Sequence, residues 1–318
     1  MSKLQLFLGD CIEEMKKIPS NSIHSVVTDP PYNLEMDKSK WDNFGSNAQF
    51  SMWCRVWAKE CFRVLRPGGY MISFSSPRTY HRMVCGIEDA KFNIKDCINW
   101  LYFSGVPKSQ HYGKIDARLE GWSTALKPCF EPAVLAQKPL QEKTVAEQLL
   151  KSRTGAMNIG ATRFAYGDPC WVGPQHDHSG QWDKPTLTNF TKGSCLINSS
   201  RRKRVDLSSY KPKGGRWAGN IYHCKKASRK EKNLGLELTE GMDQNPHPTV
   251  KPLKLIKWCI RLITAEGGTV LDPFMGSGTT AIAAVLQDYN VIGIEQNELY
   301  YSIIKRRIEW VENNLVKK

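Results

Sequence analysis

The sequence predicts an α/β protein, a doubly wound parallel sheet with a smaller irregular domain inserted into it. Three observations predict this. Short β-rich apolar runs alternate with stretches of helical spacing at both ends of the chain. Two of those runs, Ile23–Val27 and Thr269–Leu271, stop abruptly at chemically loaded turns, which is where open α/β sheets place their ligands. From about Gln137 to Gly241 the periodicity dissolves into glycine, proline, tryptophan and basic residues. A structureless loop of that length is uncommon in a compact domain, so this stretch reads as a separate small domain.

Composition narrows the class. The chain has 318 residues, enough for one large domain or two smaller ones. No run approaches 18 apolar residues, so no membrane span is expected. The N-terminus lacks a basic segment followed by an apolar block, so no secretory signal is expected. Ten cysteines are scattered without a CxxC pair and read as reduced thiols of a cytoplasmic protein. The net charge of +14 favours a polyanionic partner. Residues 137–240 carry 19 Lys and Arg against 9 Asp and Glu, most of the excess. That concentration reads as a face that tracks phosphates.

The elements follow in order. Leu4–Leu8 reads as a strand and Cys11–Ile18 as a helix, with Asp10 at the junction as a natural N-cap. Ile23–Val27 is the next strand. Residues 33–43 are polar and loop-like and include Trp41 and Asp42. Ala48–Leu65 shows helical spacing through Phe50, Trp53, Trp57, Cys61 and Val64, which read as core. Arg66-Pro67-Gly68-Gly69 stops that helix and turns into a strand, Tyr70–Ser75. A helix through Gly86–Ala90 and strands at Ile98–Phe103 and Ala133–Ala136 follow. Within the irregular stretch Val145–Leu150 reads as helical. Cys170, His176 and His178 match no zinc spacing, so no metal is expected. Regular structure resumes with a helix at Leu253–Thr264, strands at Thr269–Leu271 and Val291–Ile294, and a last helix at Leu299–Val316.

The strand before Asp29 ends in Thr28-Asp29-Pro30-Pro31-Tyr32. Two prolines lack an N–H, so the strand cannot continue and the chain is held in a stiff extended turn. Carboxylate, free carbonyls and a ring meet there, a set that suits a flat group bearing an exocyclic amine. The second turn, Asp272-Pro273-Phe274-Met275-Gly276-Ser277-Gly278-Thr279-Thr280, is a glycine loop opening a helix. It lacks Gly-Lys-Ser/Thr, which disfavours ATP, and it is not Gly-x-Gly-x-x-Gly, which weakens a nicotinamide reading. Glu295 lies 23 residues after Asp272 at the end of the next strand, where an acid suits ribose hydroxyls.

Asp-Pro-Pro-Tyr together with this glycine loop resembles the DNA amino-methyltransferases, which methylate adenine N6 or cytosine N4 with S-adenosylmethionine. The catalytic motif comes first and the cofactor loop last, the order of the family's β group as found in phage and bacteria. The resemblance covers both ends of the chain well and the middle poorly. It implies a seven-stranded, mostly parallel methyltransferase sheet with one antiparallel strand. Residues 1–136 would form its catalytic half, 137–241 an inserted target-recognition domain and 242–318 its cofactor-binding half.

By resemblance, Asp29, Pro30, Pro31 and Tyr32 are catalytic. The cofactor is implied to meet Asp10, Asp29, Asp272, Pro273, Phe274, Gly276, Gly278, Thr279, Thr280 and Glu295. Thr249 and Lys251, in Asn245-Pro246-His247-Pro248-Thr249-Val250-Lys251-Pro252, match positions whose hydroxyl and amine reach the cofactor's carboxylate. DNA phosphates would meet Lys108 of a Gly/Pro loop, and Arg201, Arg202, Lys203, Arg204, Lys211, Lys213 and Arg216 of the insert. Leu126–Pro132 resembles a stiff turn of the family that leads back into the sheet. An aspartate opening the catalytic motif resembles the adenine enzymes, a serine being commoner in the cytosine ones, so adenine N6 in double-stranded DNA is the expected target. Cytosine N4 is the runner-up. RNA or protein methylation and non-catalytic DNA binding are the readings from other classes. Carbon-5 cytosine chemistry would need a nucleophilic cysteine at the catalytic turn, and Pro128-Cys129 and Pro169-Cys170 follow no suitable strand. A cognate restriction endonuclease and a homodimer enter as partners through the resemblance alone.

Overall fold

The computed structural model describes residues 3–35, 40–106, 109–165, 168–170, 217–236 and 244–316. Its strands are β1 (Leu4–Leu8), β2 (Ile23–Thr28), β3 (Leu65–Phe74), β4 (Asn93–Leu101), β5 (Phe130–Gln137), β6 (Ile221–His223), β7 (Thr269–Asp272) and β8 (Asn290–Glu295). They form one sheet in the order β1-β8-β7-β2-β3-β5-β4-β6. Only β5 runs against its neighbours β3 and β4; the other pairs are parallel. The chain winds outward from β2 in one direction and from β7 in the other, so the switch point falls between β2 and β7.

Helices cover both faces. On one lie α1 (Cys11–Lys16), α2 (Asn47–Val64) and α3 (Tyr80–Asp89), which pack Met15, Phe50, Trp57 and Ile87 against Val26, Met71 and Val134. After α4 (Val145–Ser152) and α5 (Arg229–Lys232), the other face receives α6 (Leu253–Ile263), α7 (Thr279–Val285) and α8 (Glu298–Val311). Leu255, Ile282 and Ile304 of those three meet Val27, Ile72 and Leu135. Adjacent residues Val26 and Val27 thus enter opposite cores, the period of two that a strand imposes. All six residues of β2 are buried, which is why it reads as a continuous apolar run.

Local chemistry sets the helix starts. Asp10 caps α1 by accepting from the N–H groups of Ile12 and Glu13 at 2.9 and 3.2 Å. Ser46 and Gln49 form a reciprocal capping box on α2, and Asn297 accepts from Leu299 and Tyr300 at the start of α8.

Two expectations are corrected. The sheet has eight strands, not seven, and the extra one is β6. It comes from sequence assigned to the insert, and its residues Ile221, Tyr222 and His223 pair with Asn99, Trp100 and Leu101. Three residues carry no readable periodicity. What fixes them is burial of Tyr222 against Phe164 and Trp258, with ring centroids 6.1 and 4.8 Å away. Arg66–Gly69 does not precede a strand but lies within one. Ile23 pairs with Leu65 and Ser25 with Tyr70, so a five-residue step on β3 faces a two-residue step on β2.

Candidate functional site

The carboxyl ends of β1, β2, β7 and β8 open on one crevice, and the two motifs meet there. A hydroxyl–carboxylate bond ties them at the base: Thr28 Oγ1 donates to Asp272 Oδ1 at 2.7 Å, across 244 residues of sequence.

The catalytic turn is held from several sides. Asp42 is buried and accepts from the backbone N–H groups of Tyr32, Asn33 and Leu34 at 2.8, 2.8 and 3.0 Å. The Thr79 hydroxyl donates to the Tyr32 carbonyl at 2.7 Å. Asn33 stands in the left-handed region at φ 57°, where the chain reverses, and its side-chain oxygen accepts from Phe44 N at 3.0 Å. The prolines stiffen the turn and these bonds fix its direction. At its head the Lys251 ammonium lies 2.5 Å from Asp29 Oδ2 and 3.2 Å from Glu131 Oε2. The Tyr32 hydroxyl donates to Asp29 Oδ1. Burial alone would lower the pKa of Lys251, but the charges of Asp29 and Glu131 outweigh it and raise the ammonium above its ordinary value. Tyr32 is pushed well above the usual phenol range by burial and by the same two carboxylates.

The glycine loop is built with similar economy. Asp272 Oδ1 accepts from Phe274 N at 3.1 Å, and Gly276 N donates to Glu295 Oε2 at 2.7 Å. The other Glu295 oxygen takes Asn297 N at 2.8 Å. Gly276 and Gly278 have φ of +57° and +89°, a region that disfavours side chains. A Cβ on Gly276 would lie 2.8 Å from His247 Nε2, and one on Gly278 would lie 3.2 Å from Ile304 Cγ2. Burial raises Asp272 to about 6 and Glu295 to about 7, even though hydrogen bonds to both pull the other way.

Between the two turns lies a cavity of 540 Å³. Asp10, Asp29, Pro30, Pro31, Tyr32, Thr249, Pro273, Phe274, Gly276 and Glu295, all named from the sequence, line it. Lys251, Asp272, Thr279 and Thr280 line a smaller adjoining recess. Gly278 lies in neither wall and backs onto α8 instead. The Lys251 amine is engaged with two protein carboxylates. The expected phosphate contacts, Lys108, Arg201, Arg202, Lys203, Arg204, Lys211, Lys213 and Arg216, lie outside the described residues.

Several wall residues were not foreseen. His247 lines both spaces, packs its ring on Tyr300 at 4.7 Å between centroids, and is held near 4 by burial and by the nearby Lys251. Trp53, read as core, reaches the cavity and packs against Phe44 and Phe274 with centroids 4.2 and 5.5 Å away. Trp41 joins them from the loop after the catalytic turn. Asn297 carried a signal, a helix-capping residue two positions after the strand-end acid. Glu131 lies in neither wall but against Lys251 and Tyr32; it falls in the family-like turn Leu126–Pro132, which gave it no role of its own.

Crevice, acidic proline turn and glycine loop together define an α/β group-transfer enzyme with a nucleoside-sized pocket. The family model described as DNA methylase, of the N6/N4 methyltransferase type, matches residues 23–306, and the chain belongs to that family. It is 26% identical to the Type II methyltransferase M.HindIII of Haemophilus influenzae, over 97% of this chain and 96% of that protein. It is also 26% identical to the DNA adenine methyltransferase YhdJ of Escherichia coli, over 95% of this chain and 81% of that protein. Among solved structures it resembles the PvuII DNA methyltransferase (cytosine-N4-specific) with a TM-score of 0.61 at 17% identity, over 96% of this chain and 86% of that one. No helix among the described residues is long and apolar enough to cross a membrane.

Proposed function

We propose that this DNA methyltransferase transfers a methyl group from S-adenosylmethionine to adenine N6, at a specific site in duplex DNA, after the base is flipped. The observation that carries the reading is the aspartate opening the proline turn, Asp29, which stands with Tyr32 at the wall of a nucleoside-sized cavity.

The residues fit the cofactor. Glu295 is a buried acid at a strand end, and hydroxyl donors from a ribose would favour its ionised form. Phe274 and Ile294 offer apolar wall for an adenine ring, and Asp10 an acceptor beside it. S-adenosylmethionine brings a methyl group already activated on a sulfonium. The chain's own residues then do the positioning. An aromatic amine is a poor nucleophile because its lone pair is drawn into the ring. Hydrogen bonds from that amine to Asp29 and to the Pro30 carbonyl favour a pyramidal nitrogen with a localised pair. Tyr32 stacks on the base and holds it in line. The amine is inaccessible in the duplex, so the base must leave the stack at a cost of a few kcal/mol. In this reading residues 137–241 recognise the target, and their basic residues meet phosphate.

Product identification tests the assignment. Purified protein is incubated with unmethylated plasmid and methyl-labelled S-adenosylmethionine, and the DNA is digested to nucleosides. Labelled N6-methyladenine is expected. Labelled N4-methylcytosine would overturn the base assignment while keeping the site, and label only in RNA or protein would overturn the substrate.

A further inference from the structure

Glu131 is the second residue of β5, an element that belongs to neither motif. Its Oε2 nonetheless lies 3.2 Å from the Lys251 ammonium and 3.4 Å from the Tyr32 hydroxyl. That hydroxyl donates to Asp29 Oδ1 and lies 3.1 Å from Lys251 Nζ. A phenol has one proton to give, so it serves one of the two carboxylates at a time. In the structure it serves Asp29 and fills one of the acceptor positions that a flipped base's amine needs.

Building on the adenine reading, we propose that Glu131 is a positioning residue for methyl transfer, the acceptor to which the Tyr32 hydroxyl passes when the target amine claims Asp29. Without such an acceptor the displaced hydroxyl would be a buried donor with no partner, and it would compete with the base for Asp29. Glu131 offers the alternative within one hydroxyl rotation and a small ring shift. Lys251 makes the arrangement tolerable. It is 6% exposed and sets one positive charge between the two carboxylates. The cluster keeps one net negative charge, opposite in sign to the charge the base acquires as it is methylated.

A double-mutant cycle on the full chain tests this. Single-turnover methylation of duplex DNA is measured for wild type, Glu131→Ala, Tyr32→Phe and the double variant. Calorimetric binding of S-adenosylhomocysteine and the duplex Kd confirm that each site is folded. Glu131→Ala is expected to slow methyl transfer about tenfold to a hundredfold, the worth of one hydrogen bond to a charged group, with the KM for cofactor unchanged. In the Tyr32→Phe background the same change should cost less than about threefold, because the hydroxyl it served is gone. Glu131→Gln, which keeps an acceptor oxygen, should restore most of the rate. Equal losses in both backgrounds would show that Glu131 acts only through Lys251 and would overturn the proposal, as would a wild-type rate for Glu131→Ala. Methylation of cytosine by the wild type would overturn the base assignment and leave the cycle readable, since either base presents an exocyclic amine. A wild type that methylates no base would overturn both.

Discussion

Asp29 has both carboxylate oxygens engaged by this chain's own side chains, Lys251 on one and Tyr32 on the other. In the proposed mechanism, replacing it with alanine removes the acceptor for the target amine but no phosphate contact. Asp29→Ala is expected to lower kcat by about a thousandfold or more, as loss of a central electrostatic group does, with duplex affinity in a gel-shift assay kept within about threefold. Glu295 allows a second test. Burial raises it from an ordinary carboxyl value to about 7, so it is partly protonated at neutral pH. A raised carboxyl stabilises the folded chain below its unfolded pKa, and that contribution is lost as pH rises through about 7. A ligand that donates hydroxyls to the ionised form binds better as the same titration proceeds. The affinity for S-adenosylhomocysteine should therefore rise between pH 6 and 8 by roughly tenfold, a scale set by one pKa unit, and Glu295→Gln should flatten the profile. Asp29, Tyr32 and Glu295 were legible because each sits at the end of an apolar run, a local signal. Glu131 and His247 were not. The first lies 99 residues from its partner Tyr32 and looks like any acid in a turn. The second sits in a proline-rich stretch where a histidine has no distinguishing neighbour.

At the scale of elements, the glycine loop is where backbone conformation and function meet. Gly276 combines φ +57° with a Cβ site 2.8 Å from the His247 ring, so even a methyl group must move the imidazole or the loop. Gly276→Ala should weaken S-adenosylhomocysteine binding by about tenfold or more by calorimetry, with a stability loss of about 1–3 kcal/mol in urea, the range for strain at a positive φ. Helices were readable because their apolar spacing is local, α2 with Phe50, Trp53, Trp57, Cys61 and Val64 being the clearest; its Ser46–Gln49 box was not read. The departures have tertiary causes. β6 is too short to show a pattern. The Pro-Gly step in β3 is kept inside the strand because Gly155 and Gln148 lock it from outside: Gln148 Nε2 donates to Pro67 O at 3.0 Å, and Gly155 N to Gly68 O at 3.0 Å.

Across the whole molecule, charge and topology divide the labour. The net +14 is concentrated between the two regular ends of the chain, while the crevice itself is acidic. Affinity for duplex should fall steeply with salt. Changing Arg201, Arg202, Lys203 and Arg204 together to serine should reduce the slope of log affinity against log salt by roughly 3 to 4, the release expected for four phosphate contacts. Binding of S-adenosylhomocysteine should be unaffected, and an unchanged slope would remove these residues from the interface. Asp29 and Asp272, 243 positions apart, meet because β2 and β7 are neighbours in the sheet, an adjacency their places at strand ends alone do not dictate. The eighth strand did not follow from anything local, since it depends on where the chain returns after the insert.

The reversed direction of β5 has a consequence for how such a chain can diversify. Its sheet partners β3 and β4 run in the opposite direction, so β5 presents Glu131 where it enters the sheet and not where it leaves. The connection from β4 to β5, residues 102–129, therefore has both its feet at the rim of the site, with Leu101 and Phe130 paired beneath it. Such a span can lengthen, shorten or be exchanged while the ladder below keeps its register. Among the described strands, the one that breaks the parallel order is thus also the one whose entry connection can be rewritten without disturbing the ladder.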